Sequence, residues 1–525
     1  MAAYPDELVR RAFNRSTELR HMDIKADIII IGSGIGGASL AYSLAETGKR
    51  VTILERGEQL KDTIQARDDV AIFQDGFYRS SEEWLATDGE TFLPGNYYYV
   101  GGNSKLFGAV MYRYRVEDFS PRRHMSGQSP GWPVSYAEME PWYQQAEQLF
   151  QVRGATGVDP TEPPRSAPYA YRPVPDEASI AAVRERLRRA GVNPVSLPLA
   201  IDIEEWLKRA PTGWDGFPNT GLGKIDAEVG PLRKALAHPN VSLITGAEVK
   251  RLETDVSGKK VTSVVFVKNS RECRMSADLY AVAAGAVQSA ALLLRSANAA
   301  HPNGLANSSD QLGRNFMNHN TTAMLAIDPV SPNTSVYQKT LAFNDFYNQD
   351  PVTGYPLGNV QLLGRITGNI LKANLSWAPT WMARLIARHA YGWFLTSEDL
   401  PNPESRVMVR DGRIVMNWER SNMQAHEALI ERTHTVMKKA GFPIVLTRTF
   451  GRKTTSHQCG TARLGSDPAN SVVTPACRSH DIENLYITDA SVLPTSAAVN
   501  PALTIAALAL KAGADIRSRW AHGQG

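Results

Sequence analysis

The sequence predicts an α/β fold that begins with a Rossmann-like domain. An apolar strand at residues 27–31 runs into a glycine-rich turn of the form G-x-G-x-x-G and then into a helical stretch at residues 38–45. A second apolar strand follows at residues 50–55 and ends in a carboxylate. A strand, a glycine turn, a helix and a second strand in this order form the unit that binds dinucleotides. At 525 residues, the chain should divide into two or three domains.

Each glycine of this turn has a different structural role. Gly32 permits the tight turn, Gly34 lets backbone approach a pyrophosphate, and Gly37 lets the helix pack closely on the strand. The phosphates then lie at the N-terminus of the helix. Glu55 follows Gly32 by 23 residues, at the distance where a carboxylate binds the ribose hydroxyls. We therefore predict that these four residues belong to a dinucleotide-binding site.

Composition disfavours several classes of protein. Lysine and arginine exceed aspartate and glutamate by only four residues, which gives no argument for nucleic acid. Cys273, Cys459 and Cys477 are too few and too scattered for a disulfide framework or a zinc site, so no metal is expected. The chain shows neither the apolar core of a secretory signal nor a run of about eighteen apolar residues. We expect a cytoplasmic protein without a membrane span, and we assign no function upstream of Met22, because His21-Met22 is typical of a cloning junction or an alternative start.

Two motifs near the C-terminus hold the candidate catalytic groups. His457 lies in the sequence SHQCGT at residues 456–461, and Asn500 lies 43 residues later in VNPALT, at residues 499–504. A histidine can take a proton from an alcohol, and an amide can orient the same oxygen. A flavin needs such a pair beside it to draw a hydride from a C–H bond. We predict His457 and Asn500 as the catalytic residues.

Four further motifs occur in an order that resembles the glucose-methanol-choline (GMC) family of FAD-dependent alcohol oxidoreductases. They lie at residues 100–104, 280–289, 312–319 and 486–495. With the glycine turn and the C-terminal pair, the resemblance covers nearly the whole chain. It implies an α/β protein in which a Rossmann-like FAD-binding domain is assembled from separated segments. An α+β substrate domain, built on a mostly antiparallel sheet, is inserted between them.

The resemblance also implies domain boundaries and cofactor contacts. The FAD-binding domain takes residues 24–118, 225–320 and 466–520, and the substrate-binding domain takes residues 119–224 and 321–465. Beyond the first glycine turn and Glu55, the predicted FAD contacts are Gly102, Asn103, Ser104, Val249, Asp489, Ala490, Pro501 and Thr504. Relatives that bind the flavin covalently carry a histidine at the position of Leu106. Because leucine has no nucleophile, FAD should be held noncovalently.

The expected reaction is oxidation of an alcohol to a carbonyl by hydride transfer to flavin N5. In this reaction, His457 takes the hydroxyl proton and Asn500 donates to the oxygen. The motifs look closest to the sugar- and glycoside-oxidising branches, so the resemblance implies a sugar, glycoside or polyol as substrate. Dioxygen or another compound would accept the electrons. Six aromatic residues are candidates for stacking on a sugar ring: Tyr97, Tyr98, Tyr99, Trp377, Trp381 and Trp393.

Three alternatives remain open. Oxidation of an aminosugar is the first, although the relatives with that activity have a cysteine-bearing stretch where this chain has residues 206–217 and no cysteine. A nonredox lyase of the same fold, with a structural FAD, is the second. A flavin-binding protein without turnover is the third. For His319, in the motif at residues 312–319, the resemblance favours a structural hydrogen bond over a role in substrate binding.

Local patterns predict three elements in the inserted segments. Ser135 is expected to cap a short helix, with Glu138 three residues later completing a capping box. Residues 322–327 are predicted to form a strand, and residues 424–439 a helix.

Overall fold

The structure is a computed structural model that describes residues 25–209, 214–375, 377–454 and 457–522. The predictions for residues 1–21, for the boundary at residue 24 and for Ser456 lie outside these residues. The strands are β1 Ile28–Ile31, β2 Val51–Leu54, β3 Trp84–Ala86, β4 Thr91–Phe92, β5 Arg122–His124, β6 Gly127–Ser129, β7 Pro194–Ser196, β8 Val241–Ile244, β9 Glu248–Thr254, β10 Val261–Lys268, β11 Arg271–Met275, β12 Leu279–Val282, β13 Asn320–Ile327, β14 Leu341–Phe343, β15 Asn359–Leu362, β16 Ala390–Ser397, β17 Arg406–Arg410, β18 Arg413–Asn417, β19 Ile444–Thr449 and β20 Leu485–Ile487.

The α-helices differ widely in length, and the longest closes the described chain. They are α1 Ile35–Leu44, α2 Asp69–Phe73, α3 Tyr136–Leu149, α4 Ala178–Arg189, α5 Ile203–Arg209, α6 Arg233–Leu236, α7 Ala286–Arg295, α8 Gly368–Asn374, α9 Thr380–His389, α10 Met423–Lys439 and α11 Ala502–Ala521. None of the helices in the described segments is both long and apolar enough to cross a bilayer.

The three local predictions are confirmed. The side chain of Ser135 accepts from the backbone N–H of Glu138, and the Glu138 carboxylate accepts from the backbone N–H of Ser135. This reciprocal cap satisfies two N–H groups that would otherwise have no partner at the start of α3. The helix predicted at residues 424–439 is α10, which begins one residue earlier. The strand predicted at residues 322–327 lies within β13.

The Rossmann-like part is a parallel five-stranded sheet in the order β20-β12-β1-β2-β8. All four isoleucines of β1 are buried. A strand that is apolar on both faces suits the middle of a parallel sheet, which packs on both sides. Because the strands are parallel, their carboxyl ends lie along one edge, which is where open α/β sheets bind ligands.

The second large sheet is antiparallel, with six strands in the order β19-β13-β16-β15-β14-β7. Helices α4 and α10 cover one face, where Val360 and Leu395 belong to the same buried apolar cluster as Val183 and Leu429. Side chains alternate along a strand, so the neighbours of Val360 and Leu395 point to the opposite face. Both sheets match the predicted fold class, which is thereby confirmed.

The strands of the two sheets are interleaved along the chain. Those of the parallel sheet come from the three segments predicted for the FAD-binding domain, and those of the antiparallel sheet come from the two others, apart from Asn320 at the start of β13. A smaller sheet, β17-β18-β3-β4, joins residues 84–92 to residues 406–417 and so crosses the predicted division. The predicted boundaries stay a prediction.

Candidate active site

A cavity of about 420 Å³ lies between the two large sheets. This volume is in the range of small-molecule sites. Residues one or two positions after the ends of four parallel strands form one wall, and side chains of the antiparallel sheet contribute to another: Gly32, Glu55, Ala283 and Asp489 on the first, and Gln361 and Phe394 on the second. The cavity therefore opens at the carboxyl edge of the parallel sheet, as the Rossmann-like fold requires.

The first glycine turn approaches neighbouring backbone closely. Gly32 has φ +102°, and a Cβ there would overlap the carbonyl oxygen of Ala283. A Cβ at Gly37 would overlap the carbonyl oxygen of Gly32, so α1 packs directly on the turn. At Gly34, a Cβ would meet no protein atom within 4 Å. The open side of Gly34 faces the cavity, and this cradle fits a pyrophosphate at the start of α1.

Glu55 is buried at the end of β2 and binds the turn. One carboxylate oxygen accepts from the backbone N–H of Ser33 at 2.9 Å and from its hydroxyl at 2.6 Å, and the other accepts from the N–H of Gly57 at 2.8 Å. Burial raises the pKa of the Glu55 carboxyl, against the effect of these donors. Glu55 also lines the cavity, where the sequence predicts that it binds the ribose hydroxyls.

The second glycine segment lies against the first. Gly102 begins a 3₁₀ turn, and a Cβ there would lie 3.4 Å from the Cα of Gly34. Asn103 accepts from the N–H of Tyr97 at 2.9 Å. Ser104 donates to the carbonyl of Gly101 at 2.6 Å. All three predicted residues of this segment line the cavity, as does Leu106.

The remaining predicted cofactor contacts do not all reach the cavity. Val249, Asp489, Ala490 and Pro501 line it. Thr504 does not, because it is fully buried in α11, where its hydroxyl lies 2.9 Å from the hydroxyl of Tyr143.

His457 and Asn500 meet in this cavity. The amide nitrogen of Asn500 lies 3.4 Å from Nε2 of His457. On its other side, Nδ1 of His457 lies 2.8 Å from Nδ1 of His319. Burial, His319 and the positive charge of Lys339 hold the pKa of His457 well below its usual value. An uncharged imidazole beside an amide is the arrangement that accepts a proton from a bound alcohol.

Four side chains near the candidate pair were not predicted as catalytic or binding residues. His319 was assigned a structural hydrogen bond, yet it contacts the candidate base. Gln361 donates from its amide nitrogen to Oδ1 of Asn500 at 3.0 Å. Lys339 and Asp215 form a buried ion pair in the cavity wall. No local pattern marks Gln361, Lys339 or Asp215, because only the fold brings residues so far apart in sequence to one wall.

The aromatic candidates divide into two groups. Tyr97 and Tyr98 line the cavity, whereas the other four do not. Tyr99 is partly buried and packs against the apolar core. Trp393 is fully buried in the apolar cluster beneath the antiparallel sheet, whereas Trp377 and Trp381 are 76% and 68% exposed and lie outside the cavity wall. Phe394 lies instead against the candidate base, with its ring centroid 6.5 Å from that of His457.

Known proteins resemble the chain over nearly its full length. It matches the FAD dependent oxidoreductase family over residues 27–303, more than half of the chain, and the GMC oxidoreductase family over residues 401–509. The 6'''-hydroxyparomomycin C oxidase of Streptomyces lividus is 29% identical over 94% of this chain and 92% of that protein. The fructose dehydrogenase large subunit of Gluconobacter japonicus is 26% identical over 95% of this chain and 99% of its own.

A solved structure supports the fold. The crystal structure of pyridoxine 4-oxidase from Mesorbium loti superposes with a TM-score of 0.65 at 20% identity and covers 94% of this chain and 99% of that chain. Family match, fold and the glycine-lined cavity agree with the cofactor that the sequence predicts, FAD. The chain belongs to the glucose-methanol-choline family of FAD-dependent oxidoreductases, and its reaction is the oxidation of an alcohol group.

Proposed function

We propose that the protein oxidises a hydroxyl group of a sugar, glycoside or polyol, with His457 as the base and Asn500 as the donor to the reacting oxygen. The observation that carries this proposal is the meeting of the two side chains, 3.4 Å apart, in the cavity lined by both glycine segments. Bound FAD supplies the acceptor for the hydride that leaves the alcohol carbon. The residues that would hold it are the two glycine segments, Glu55 and the backbone after β20.

His457 takes the hydroxyl proton. Its depressed pKa keeps the ring uncharged near neutral pH, so one of its two nitrogens is free to accept the proton. A positioned general base contributes ~10²–10⁴-fold to the rate. Removing the proton raises the electron density on the oxygen and so favours departure of the hydride from the same carbon.

Asn500 stabilises the oxygen as it becomes negative. An amide cannot titrate in the working range, so toward the reacting oxygen its N–H group donates a hydrogen bond without transferring a proton. Its carbonyl oxygen accepts from Gln361, and this bond directs the amide nitrogen toward His457 and the space between them. The reacting oxygen therefore lies between one acceptor and one donor.

The polar wall supports a substrate with several hydroxyl groups. Asp215, Lys339 and Gln361 line the cavity close to the catalytic pair. Two relatives are named for a paromomycin derivative and for fructose, which are carbohydrate compounds. An aminosugar is the second candidate, favoured by the first of these relatives. We further propose that FAD is held noncovalently, because the cavity has Leu106 where covalent relatives have histidine.

An anaerobic substrate panel tests the proposed function. Sugars, glycosides, polyols, aminosugars and cyanohydrins are mixed with the purified yellow protein, and the flavin absorption bands are followed. Bleaching by a carbohydrate supports the proposal. Product from a cyanohydrin without bleaching shows a lyase, and no change with any compound favours a binding protein. Oxygen uptake with the active compound then decides between dioxygen and another electron acceptor.

Two variants test the residue roles. His457→Ala is expected to keep FAD and to slow anaerobic flavin reduction by ~10²–10⁴-fold. Asn500→Ala is expected to slow it less severely, although loss of such a donor can cost ~10²–10³-fold. Both must retain the parent's fold and flavin content for the comparison. Reduction of His457→Ala at the parent rate over the whole pH range would show that His457 is structural.

A further inference from the structure

A chain of hydrogen bonds runs from a backbone carbonyl to the candidate base. Nε2 of His319 lies 2.8 Å from the carbonyl oxygen of Ser496. A carbonyl oxygen only accepts, so Nε2 of His319 must carry a proton. His319 is completely buried, and burial lowers its pKa to about 4. Near neutral pH its ring therefore carries a single proton, and that proton is on Nε2.

The next two bonds follow from this first one. A neutral imidazole with its proton on Nε2 has a lone pair on Nδ1. Because Nδ1 of His319 lies 2.8 Å from Nδ1 of His457, the proton of this bond belongs to His457. His457 is itself uncharged under the combined effect of burial, His319 and Lys339. Its Nε2 is then the acceptor, and this is the atom that Asn500 faces.

We propose that His319 is a positioning residue that holds His457 in the tautomer with the proton on Nδ1, so that the basic Nε2 faces the substrate. The inference rests on the proposed role of His457. In many active sites a carboxylate performs this task. Here the acceptor is a neutral ring, itself oriented by the carbonyl of Ser496. When His457 takes the proton on Nε2, it still donates from Nδ1 to His319.

Three substitutions test the roles of Nδ1 and Nε2 of His319 separately. The side-chain oxygen in His319→Asn lies near the position of Nδ1 and still accepts from His457. The amide in His319→Gln extends to the position of Nε2, which preserves the bond to Ser496 and removes the acceptor. His319→Phe has neither group. We expect His319→Gln and His319→Phe to slow anaerobic flavin reduction by ~10–10²-fold, by analogy with the cost of removing a group that orients a metal-binding histidine. His319→Asn should lie closer to the parent than either.

A matched control is His426→Gln. His426 is also a completely buried histidine whose pKa burial lowers, to about 3, but its partners are Thr322 and Ser397 and it lies outside the cavity wall. The rate of flavin reduction in His426→Gln shows how much the loss of a buried histidine slows the reaction only by destabilising the protein. If it slows flavin reduction as much as His319→Phe does, His319 acts through stability and the proposal is wrong.

A spectroscopic measurement tests the tautomer without turnover. In ¹⁵N-histidine spectra of the holoenzyme, with His457 assigned by its loss in His457→Ala, the proton is expected on Nδ1 in the parent and in His319→Asn. In His319→Gln and His319→Phe, the Nε2–H form should gain population. An Nε2–H signal in the parent overturns the proposal whatever the rates are. An Nδ1–H signal in a parent that oxidises no alcohol would instead contradict the proposed function and leave the tautomer assignment standing.

Discussion

At the scale of single residues, burial and a neighbouring positive charge keep His457 uncharged. Desolvation disfavours the imidazolium form, and His319 and the positive charge of Lys339 oppose it further. A histidine with an ordinary pKa would be about half protonated at pH 6.5, and the protonated molecules could not accept the proton of the alcohol. The environment thus extends toward lower pH the range in which the proposed base can accept a proton.

The pH dependence of flavin reduction follows from this shift. Protonation of His457 occurs only well below pH 6.5, so the rate of anaerobic reduction at saturating substrate should be flat above that value. It should fall only in more acid solution, where His457 gains a proton and cannot accept another. Stopped-flow measurement between pH 5 and 9 checks this. A rate that rises through an apparent pKa of about 7 or higher would contradict it.

We expect Gln361 to affect the reaction through its hydrogen bond to Asn500. In Gln361→Met, the bond to Oδ1 of Asn500 is lost, so the amide nitrogen is less well directed and flavin reduction should slow by about three- to tenfold, the range of one neutral hydrogen bond. In an Asn500→Ala background, the same substitution should cost nothing further. If the fold reductions in rate of the two single variants multiply in the double variant, Gln361 has a role that is independent of Asn500.

At the scale of elements, the turn between β1 and α1 joins stability to cofactor binding. At Gly32 the backbone needs a positive φ and leaves no room for a side chain. At Gly34, two residues later, φ is ordinary and the space beside it is open to the cavity. The first glycine serves the protein itself, and the second leaves space for the ligand.

Substitution of each glycine by alanine should separate the effect on protein stability from the effect on FAD binding. Gly32→Ala should destabilise the apoprotein by at least ~2 kcal/mol, from the left-handed backbone and the overlap with Ala283. Gly34→Ala should leave the apoprotein within about 1 kcal/mol of the parent but weaken FAD binding, because its methyl group occupies the space of the pyrophosphate. Urea unfolding of the apoprotein and FAD titration measure the two quantities. Equal stability of both variants would contradict the assignment.

At the scale of the whole molecule, the cavity is lined by residues that lie far apart in the sequence. Gly32, Val249, Asp489 and Asn500 all line it, although they span most of the sequence. A ligand that contacts all of these segments stabilises the folded state only where they are assembled. FAD should therefore act as a structural link as well as a reactant.

The stability of the apoprotein should rise with the concentration of FAD. At a concentration 100 times Kd, binding to the native state alone adds about 2.7 kcal/mol. ADP, which has the pyrophosphate and a ribose, should give part of this effect through the first glycine turn and Glu55. Thermal unfolding at increasing FAD or ADP measures it. A melting temperature that does not change with the concentration of either ligand would contradict the proposed cofactor residues.

Denaturation should release the flavin intact. The side chain of Leu106 has no atom that could form a bond to FAD, so acid or heat should free FAD from the unfolded chain. Separation of the denatured protein from small molecules, followed by absorption of both fractions, tests this. Flavin that remains with the polypeptide would disprove noncovalent binding.

The sequence by itself determined the parts of this protein that local pattern encodes. The apolar strand, the glycine turn and Glu55 lie close together along the chain, so their βαβ unit was predictable from spacing. The order of the motifs likewise predicted the family and FAD, both confirmed, and it singled out His457 and Asn500, which the structure brings together. Their catalytic roles, the domain boundaries and the cytoplasmic location stay predictions.

Only the tertiary structure decided what surrounds His457 and Asn500, the candidate catalytic pair. His319 precedes His457 by 138 residues, and Gln361 precedes Asn500 by 139, so no local pattern relates them. It also turned Thr504 away from the cavity toward Tyr143. The direction of each hydrogen bond and the depressed pKa of His457 depend on burial and on partners that the packing of two sheets brings within about 3 Å. Such contacts depend on three-dimensional distance, which spacing along the chain does not specify.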